Sequence, residues 1–267
     1  MIPAYTKHRT AGGWTPAALF TGANGLWLET DLTTLFQDSA GTTPVTTTTN
    51  PVGLWQDKSG NNNHVSQATS TNRPTYSTTG HPNVLFNGTS QWLQNALQIL
   101  NADGACEMWV AGEVSSSSTG SMIDVSTRNG SSQTSILRVE SVSSSWEGYV
   151  TINGVSAQAL DSANWSANTD TVIGCIDSGD VGGSFTSEVV VNNNTPVSVS
   201  RTWAAISSNA NPTTLIGAVN YSATATPLLS HYLNGSIYAI VAINRALTTA
   251  ERANLKTYLA AKYGGVL

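Results

Sequence analysis

Cleaving a glycosidic bond takes two carboxyl groups facing each other about 5–10 Å apart, so the acidic residues are the first place to look for chemistry. Glu29-Thr30-Asp31 sets two acids at strand alternation, but no third acid follows, and the Glu-x-Asp-x-x-Glu run of a sugar-cleaving strand is absent. Glu107 and Glu113 stand six apart, on one strand face if Gly112 leaves the strand unbroken. The histidines His8, His64, His81 and His231 all occupy turn-like or terminal contexts, with no two at zinc-ligand spacing. Neither a Gly-x-Ser-x-Gly nucleophile elbow nor a glycine-rich phosphate loop occurs. These readings make the chain a non-enzyme.

Two binding chemistries have better footing. Asp57-Lys58-Ser59-Gly60-Asn61-Asn62-Asn63 offers oxygens at alternating positions, as calcium loops do, with Asp57, Asn61 and Asn63 as candidate ligands. Lys58 and the single carboxylate count against a cation, and an Asx-type turn is the alternative. Asp177-Ser178-Gly179-Asp180 is a second oxygen-rich turn. No cofactor is required, and calcium is the metal the sequence admits. Glycan recognition calls for exposed rings beside amides. Trp27, Trp55, Trp92 and Trp109 lie in apolar runs and are expected in the core, whereas Trp146, Trp165 and Trp203 lie among Ser, Asn and Thr. Those three, with Asn164 and Asn168 flanking Trp165, are the candidate glycan contacts, and packing is the alternative for each.

Charge narrows the partners. Eleven basic and 16 acidic residues give a net charge of −5, with no Lys/Arg cluster, which argues against nucleic acid. Charged residues make up 10% of the chain against a usual ~25%, so Ser, Thr, Asn and Gly carry the surface polarity, as suits work outside a cell or in a large assembly. Cys106 and Cys175 sit in apolar runs and read as two buried free thiols, a disulfide being the alternative. The N-terminus has no signal-peptide pattern, and no stretch approaches the ~20 apolar residues of a membrane span.

The elements that must position these residues are mostly short strands. Residues 1–25 lack periodicity and read as an extended arm; 26–267 read as one sandwich domain. Asn87-Gly88 and Asn153-Gly154 end β-like runs with the two positive-φ residues a tight hairpin wants. Asn192 to Thr195 joins a further pair of strands. In Ser236 to Ile243 both faces are apolar, so this is an internal strand, with Ile237, Ala239, Val241 and Ile243 expected on one face. Thr248-Thr249-Ala250-Glu251 is a capping box opening a helix with a Leu255, Tyr258, Leu259 stripe, stopped at Gly264-Gly265. Many strands, one C-terminal helix and no βαβ alternation give an all-β fold, a sandwich or jelly roll.

Two blocks carry a resemblance. The first holds Trp55-Gln56-Asp57-Lys58-Ser59-Gly60, Arg73-Pro74-Thr75-Tyr76 and Val84 to Gly88; the second runs from Leu233-Asn234-Gly235 through Asn244-Arg245-Ala246-Leu247 to Glu251-Arg252. Together they resemble the concanavalin A-like, laminin G-like jelly rolls of secreted bacterial proteins and tailed-bacteriophage virion proteins. From the residues alone, Trp55 packs a core edge, Asp57 makes a turn, Arg245 pairs with a carboxylate and Leu247 plugs the core. The resemblance implies a virion structural protein, a capsid decoration or tail/fibre component, located in the particle and forming a homo-oligomer. Its partners would be other virion proteins and a host surface glycan. The alternatives are a secreted carbohydrate-binding adhesin module and, less favoured, a polysaccharide-cleaving enzyme. In the virion reading Tyr5, Trp14 and Phe20 anchor the arm on a partner; a mobile terminus or an extra strand of the same sandwich is the alternative.

Overall fold

The computed structural model describes residues 13–96, 104–115, 119–129, 132–152, 155–202, 213–220 and 229–264. Chain order begins with short strands: β1 (Gly25–Glu29), β2 (Leu35–Phe36), β3 (Leu54–Trp55), β4 (Val65–Ser66), β5 (Thr75–Ser77), β6 (Asn83–Asn87) and β7 (Leu93–Asn95). Longer ones follow: β8 (Cys106–Val114), β9 (Gly120–Asn129), β10 (Ser132–Ser141), β11 (Trp146–Ile152), β12 (Val155–Asp161), β13 (Thr171–Asp177), β14 (Ser184–Val191) and β15 (Val197–Thr202). Then come β16 (Thr213–Ile216), β17 (Val219–Asn220), β18 (Leu229–Ser230), β19 (Asn234–Ile243) and the helix α1 (Thr249–Tyr263).

Two antiparallel sheets face each other. The first is ordered β15-β14-β13-β8-β19-β6-β5, with β1 also paired to β19; the second is ordered β12-β11-β10-β9-β16-β7-β4-β3-β2. Between them Trp55, Phe86, Met108, Val125, Leu137, Trp146, Phe185 and Ile240 form the main core. A second core lies on the far side of the first sheet, where Trp27, Trp109, Tyr238 and Val241 meet Leu255, Tyr258, Leu259 and Tyr263 of α1. Gly174 makes room for the largest of these side chains: a β-carbon there would come within 2.7 Å of the Trp109 ring.

The strand β19 is buried from Gly235 to Ile243, flanked by β8 on one side and by β6 and β1 on the other, as its apolar faces require. Its alternation is broken, however. A register shift against β8 falls between Ile237 and Ala239, so Ile237 joins Ile240 and Ala242 in the main core, and Tyr238 joins Ala239, Val241 and Ile243 outside. An extra residue in one strand turns the following side chains over, which sequence parity does not show.

Both ends of α1 are tied to the sheet by buried acids. Thr248 and Glu251 form the expected capping box, and Arg245 reaches Glu251 through both terminal nitrogens, at 2.9 and 2.6 Å. Near the helix start, Glu107 accepts from Arg252, Trp109 Nε1 and the Leu247 amide. Near its end, Glu29 takes Lys58, Lys262 and the Tyr258 hydroxyl. Burial pushes the Glu29 carboxyl up, but the two lysines outweigh it and hold the group below its ordinary range.

The described part of the expected arm belongs to the domain. A 3-10 turn, Pro16–Phe20, buries Leu19 and Phe20 in the second core, Trp14 stands edge-on to Tyr258 at 6.1 Å, and Arg245 donates to the Leu19 carbonyl. Trp14 and Phe20 therefore anchor the segment on its own sandwich, because α1 and β1 leave an apolar groove there; Tyr5 lies outside the described residues. Cys106 and Cys175 are free and buried. No helix among the described residues is long and apolar enough to cross a membrane.

Candidate functional site

The residues singled out from sequence do not gather into one site. Trp146 is fully buried in the main core, and Trp165 packs against that core with Nε1 donating to Ser141 Oγ at 2.9 Å. Asn164 caps Asp161 through its amide and side chain, and Asn168 takes a left-handed turn at φ 53. These four are packing and turn residues here, so they present no ring-and-amide platform; Trp203 lies outside the described residues. Of the tryptophans expected inside, Trp27, Trp55 and Trp109 are buried and Trp92 is half-buried.

Asp57, Asn61 and Asn63 do converge, but not as cation ligands. Asp57 Oδ1 accepts from the Trp27 and Ser59 amides, and Oδ2 from Ser59 Oγ and the Asn63 amide. Asn61 and Asn63 turn their Nδ2 groups, not their oxygens, onto the carbonyls of Ala23 and Gly25. Those partners are acceptors only, which fixes the amide orientation. Calcium would have to displace every one of these donors, so the set does not fit the ion. Asp177 and Asp180 likewise cap their own turn, accepting from Gly179 and Gly183.

The chemistry sits elsewhere, on the face of the second sheet turned away from the main core. Its source is the β10–β11 hairpin. Val142 and Ser145 exchange backbone hydrogen bonds at 2.9 Å, with Ser143 and Ser144 at φ 46 and 65. Two positive-φ residues match the twist of the flanking strands. The turn fixes the register Ser141↔Trp146, Glu140↔Glu147 and Arg138↔Tyr149. Trp146 and Val150 then point inward, and Glu147 and Tyr149 outward. β9 sets Asp124 opposite Arg138, and β12 sets Gln158 opposite Tyr149.

Arg138 binds this row together. Nε donates to Asp124 Oδ2 at 2.8 Å and Nη1 to Glu140 Oε1 at 2.9 Å, with the guanidinium 5.0 Å from the centre of the Tyr149 ring. His231 Nδ1 lies 3.0 Å from Glu140 Oε2. Asp124, Arg138, Glu140 and Glu147 are at most 3% exposed. Toward β12 the face opens: Tyr149 and Ser156 are half-buried, Gln158 is exposed and Leu160 is 49% exposed.

Electrostatics divides the two glutamates. Burial pushes Glu140 up, but the His231 and Arg138 contacts overcome it and hold the carboxyl below its usual range. Burial also pushes Glu147 up, and there the charge and hydrogen bond of Glu140 add to it, bringing it to about 7. Like charges directly across a strand pair repel, so one proton between them relieves the site. The result is one acid and one base on adjoining side chains.

The acid pairs noted from sequence play other parts. Glu29 and Glu107 are the helix anchors, and Glu113 is a half-buried group within 3.4 Å of Ser236 Oγ. No known family profile matches the chain, and no curated protein matches it. Solved structures do. A GH54 α-L-arabinofuranosidase soaked with a cyclic sulfate inhibitor aligns over 95% of this chain and 66% of its own, at 12% identity and TM-score 0.58. The botulinum neurotoxin serotype D binding domain aligns over 95% and 56%, at 10% identity and TM-score 0.59. Domains LG4-5 of the mouse laminin α1 chain align over 62% and 42%, at 13% identity and TM-score 0.45. The chain spans less than two thirds of each of these structures. The fold, a jelly-roll sandwich of two antiparallel sheets, is the one this chain shares with the arabinofuranosidase and the neurotoxin binding domain.

Proposed function

We propose that this chain is a non-catalytic glycan-binding jelly roll whose ligand face is the outward side of β10, β11 and β12. The observation that carries this reading is the single row of Asp124, Arg138, Tyr149 and Gln158 across four strands, grading from buried charge to open amide. A saccharide offers hydroxyls and a C–H face; the open end of the row offers an amide, two hydroxyls and the Leu160 side chain beside a fixed charged floor. The Tyr149 hydroxyl is held at 3.1 Å from Ser156 Oγ, so the strip is ordered before a ligand arrives. The test is a glycan array followed by titration calorimetry. Saccharide binding that Gln158→Ala weakens about tenfold, the loss of roughly 1.4 kcal/mol, is the expected result. An array retaining nothing above background refutes the reading.

The finer assignment, to a tailed-phage particle, is supported by the two sequence blocks and by the sparsely charged composition. Light scattering on the full chain tests its assembly side: a defined oligomer is expected, and a monomer at all concentrations overturns self-assembly.

A further inference from the structure

The floor of the proposed ligand face holds more acid than base. Asp124 from β9, Glu140 from β10 and Glu147 from β11 supply three carboxyls, and Arg138 is the permanent cation described in contact with them. His231 reaches Glu140 from the segment before β19. The flanking outward residues, Leu215 on β16 and Ser156, Gln158 and Leu160 on β12, carry no charge. Behind the sheet, beyond Gly148, lies the buried Cys175 thiol.

Glu140 and Glu147 are directly opposed in the register, and both are nearly inaccessible to water. Glu147 Oε1 and Asp124 Oδ1 are buried with no hydrogen-bond partner, so no donor among the described residues meets a second negative charge there. Ionising both members of the pair therefore adds unscreened repulsion across the hairpin. Gln158, the exposed amide of the strip, stands on β12 two residues from Leu160, the register partner of Glu147. A change of charge on the pair is thus felt one strand away, at the open edge of the face.

We propose that the Glu140–Glu147 pair is a proton latch for this face: the shared proton keeps the β10–β11 floor closed and Gln158 in place, and its loss loosens the hairpin and weakens ligand binding. The binding half of this statement rests on the glycan reading above; the loosening half does not.

Amide hydrogen exchange on the full chain, corrected for the intrinsic pH effect, separates the two. Between about pH 6 and about pH 8.5, peptides spanning 132–152 are expected to lose roughly tenfold in protection, while peptides within β19 hold theirs. In Glu147→Gln the loss disappears, since the amide keeps the donor and has no proton to give up. Protection unchanged with pH, or an equal loss in the variant, overturns the latch. Should the variant not fold, carboxyl carbon-13 shifts of the unaltered chain decide it: a glutamate titrating near neutrality supports the latch, and all glutamates titrating near ~4.3 overturn it. A glycan array at both pH values tests the coupling. A saccharide held at the lower pH and released at the higher supports it; equal retention refutes it. Retention of nothing refutes the glycan reading alone, with the exchange result still deciding the latch.

Discussion

Replacing Glu147 by glutamine isolates the energetic consequence of the buried pair. The folded state holds the Glu147 proton until about pH 7, whereas the unfolded chain releases it near the ordinary value of 4.5. Between those values the native state binds more protons than the unfolded state, so stability falls as pH rises through the window. Below it both states are protonated and the group costs nothing; above it both are ionised and the deficit stays constant. At 1.36 kcal/mol per unit the full deficit is about 3 kcal/mol. Glutamine keeps the shape and a donor but cannot ionise. Urea unfolding of both chains at about pH 4, 6 and 8 is the assay. The two should agree at the acid end, and Glu147→Gln should be about 3 kcal/mol more stable at the alkaline end. In thermal terms that is roughly 6–12 °C for a domain of this size. Parallel curves for the two proteins would refute the reasoning, since they would mean that Glu147 titrates alike folded and unfolded.

Other perturbations have distinct signatures. Arg138→Leu leaves Asp124 and Glu140 buried without their cation and should cost about 3–5 kcal/mol in urea unfolding, partly recovered at acid pH as the carboxylates protonate. Gly174→Ala drives a methyl into the Trp109 ring and should cost roughly 1–3 kcal/mol, read as a lowered urea midpoint at unchanged slope. Asp57→Ala strips the Trp27 and Asn63 amides of their acceptor and should cost about 2–3 kcal/mol, while millimolar calcium leaves the melting temperature of the unaltered chain unmoved. Trp165→Ala should lower stability by about 3 kcal/mol, the ring being packed on the core, and leave any saccharide affinity within twofold.

Where turn and cap chemistry is local, the sequence discloses the fold well. β11 and β12 pair up to Ile152↔Val155, with Asn153-Gly154 itself outside the described residues, the Asn192 to Thr195 connection joins β14 to β15, and the capping box stands at Thr248 and Glu251. Arg245 found its carboxylate and Leu247 its place in the second core for the same reason. The candidate site was hidden because its turn is written in serines. Ser143-Ser144 carries no Asn or Gly to announce positive φ, so Glu140 and Glu147 looked unrelated. A symmetric reading outward from that serine run would have paired them, and the same parity would have put Trp146 inside. Composition suggested the opposite, since a tryptophan among serines looks exposed. The switch of faces along β19 has no local signature, because the bulge answers to β8 across the sheet. Asp57 misled differently: oxygen-rich loops that bind cations and those that cap backbone amides share a composition, and only the hydrogen-bond directions separate them.

The position of β19 bears on how the chain is made. It pairs β1 from Gly25↔Ile243 onward and also borders β6 and β8, so the strand that comes last in the described sandwich is the one that joins the two halves of the first sheet. Until it leaves the ribosome, β6 and β8 each present an unpaired edge, with Val84, Phe86, Met108 and Val110 beside them. Closure then spans nearly the whole chain, a topology associated with slow folding and exposure to aggregation. Chains truncated before β19 lack a central element of the first sheet.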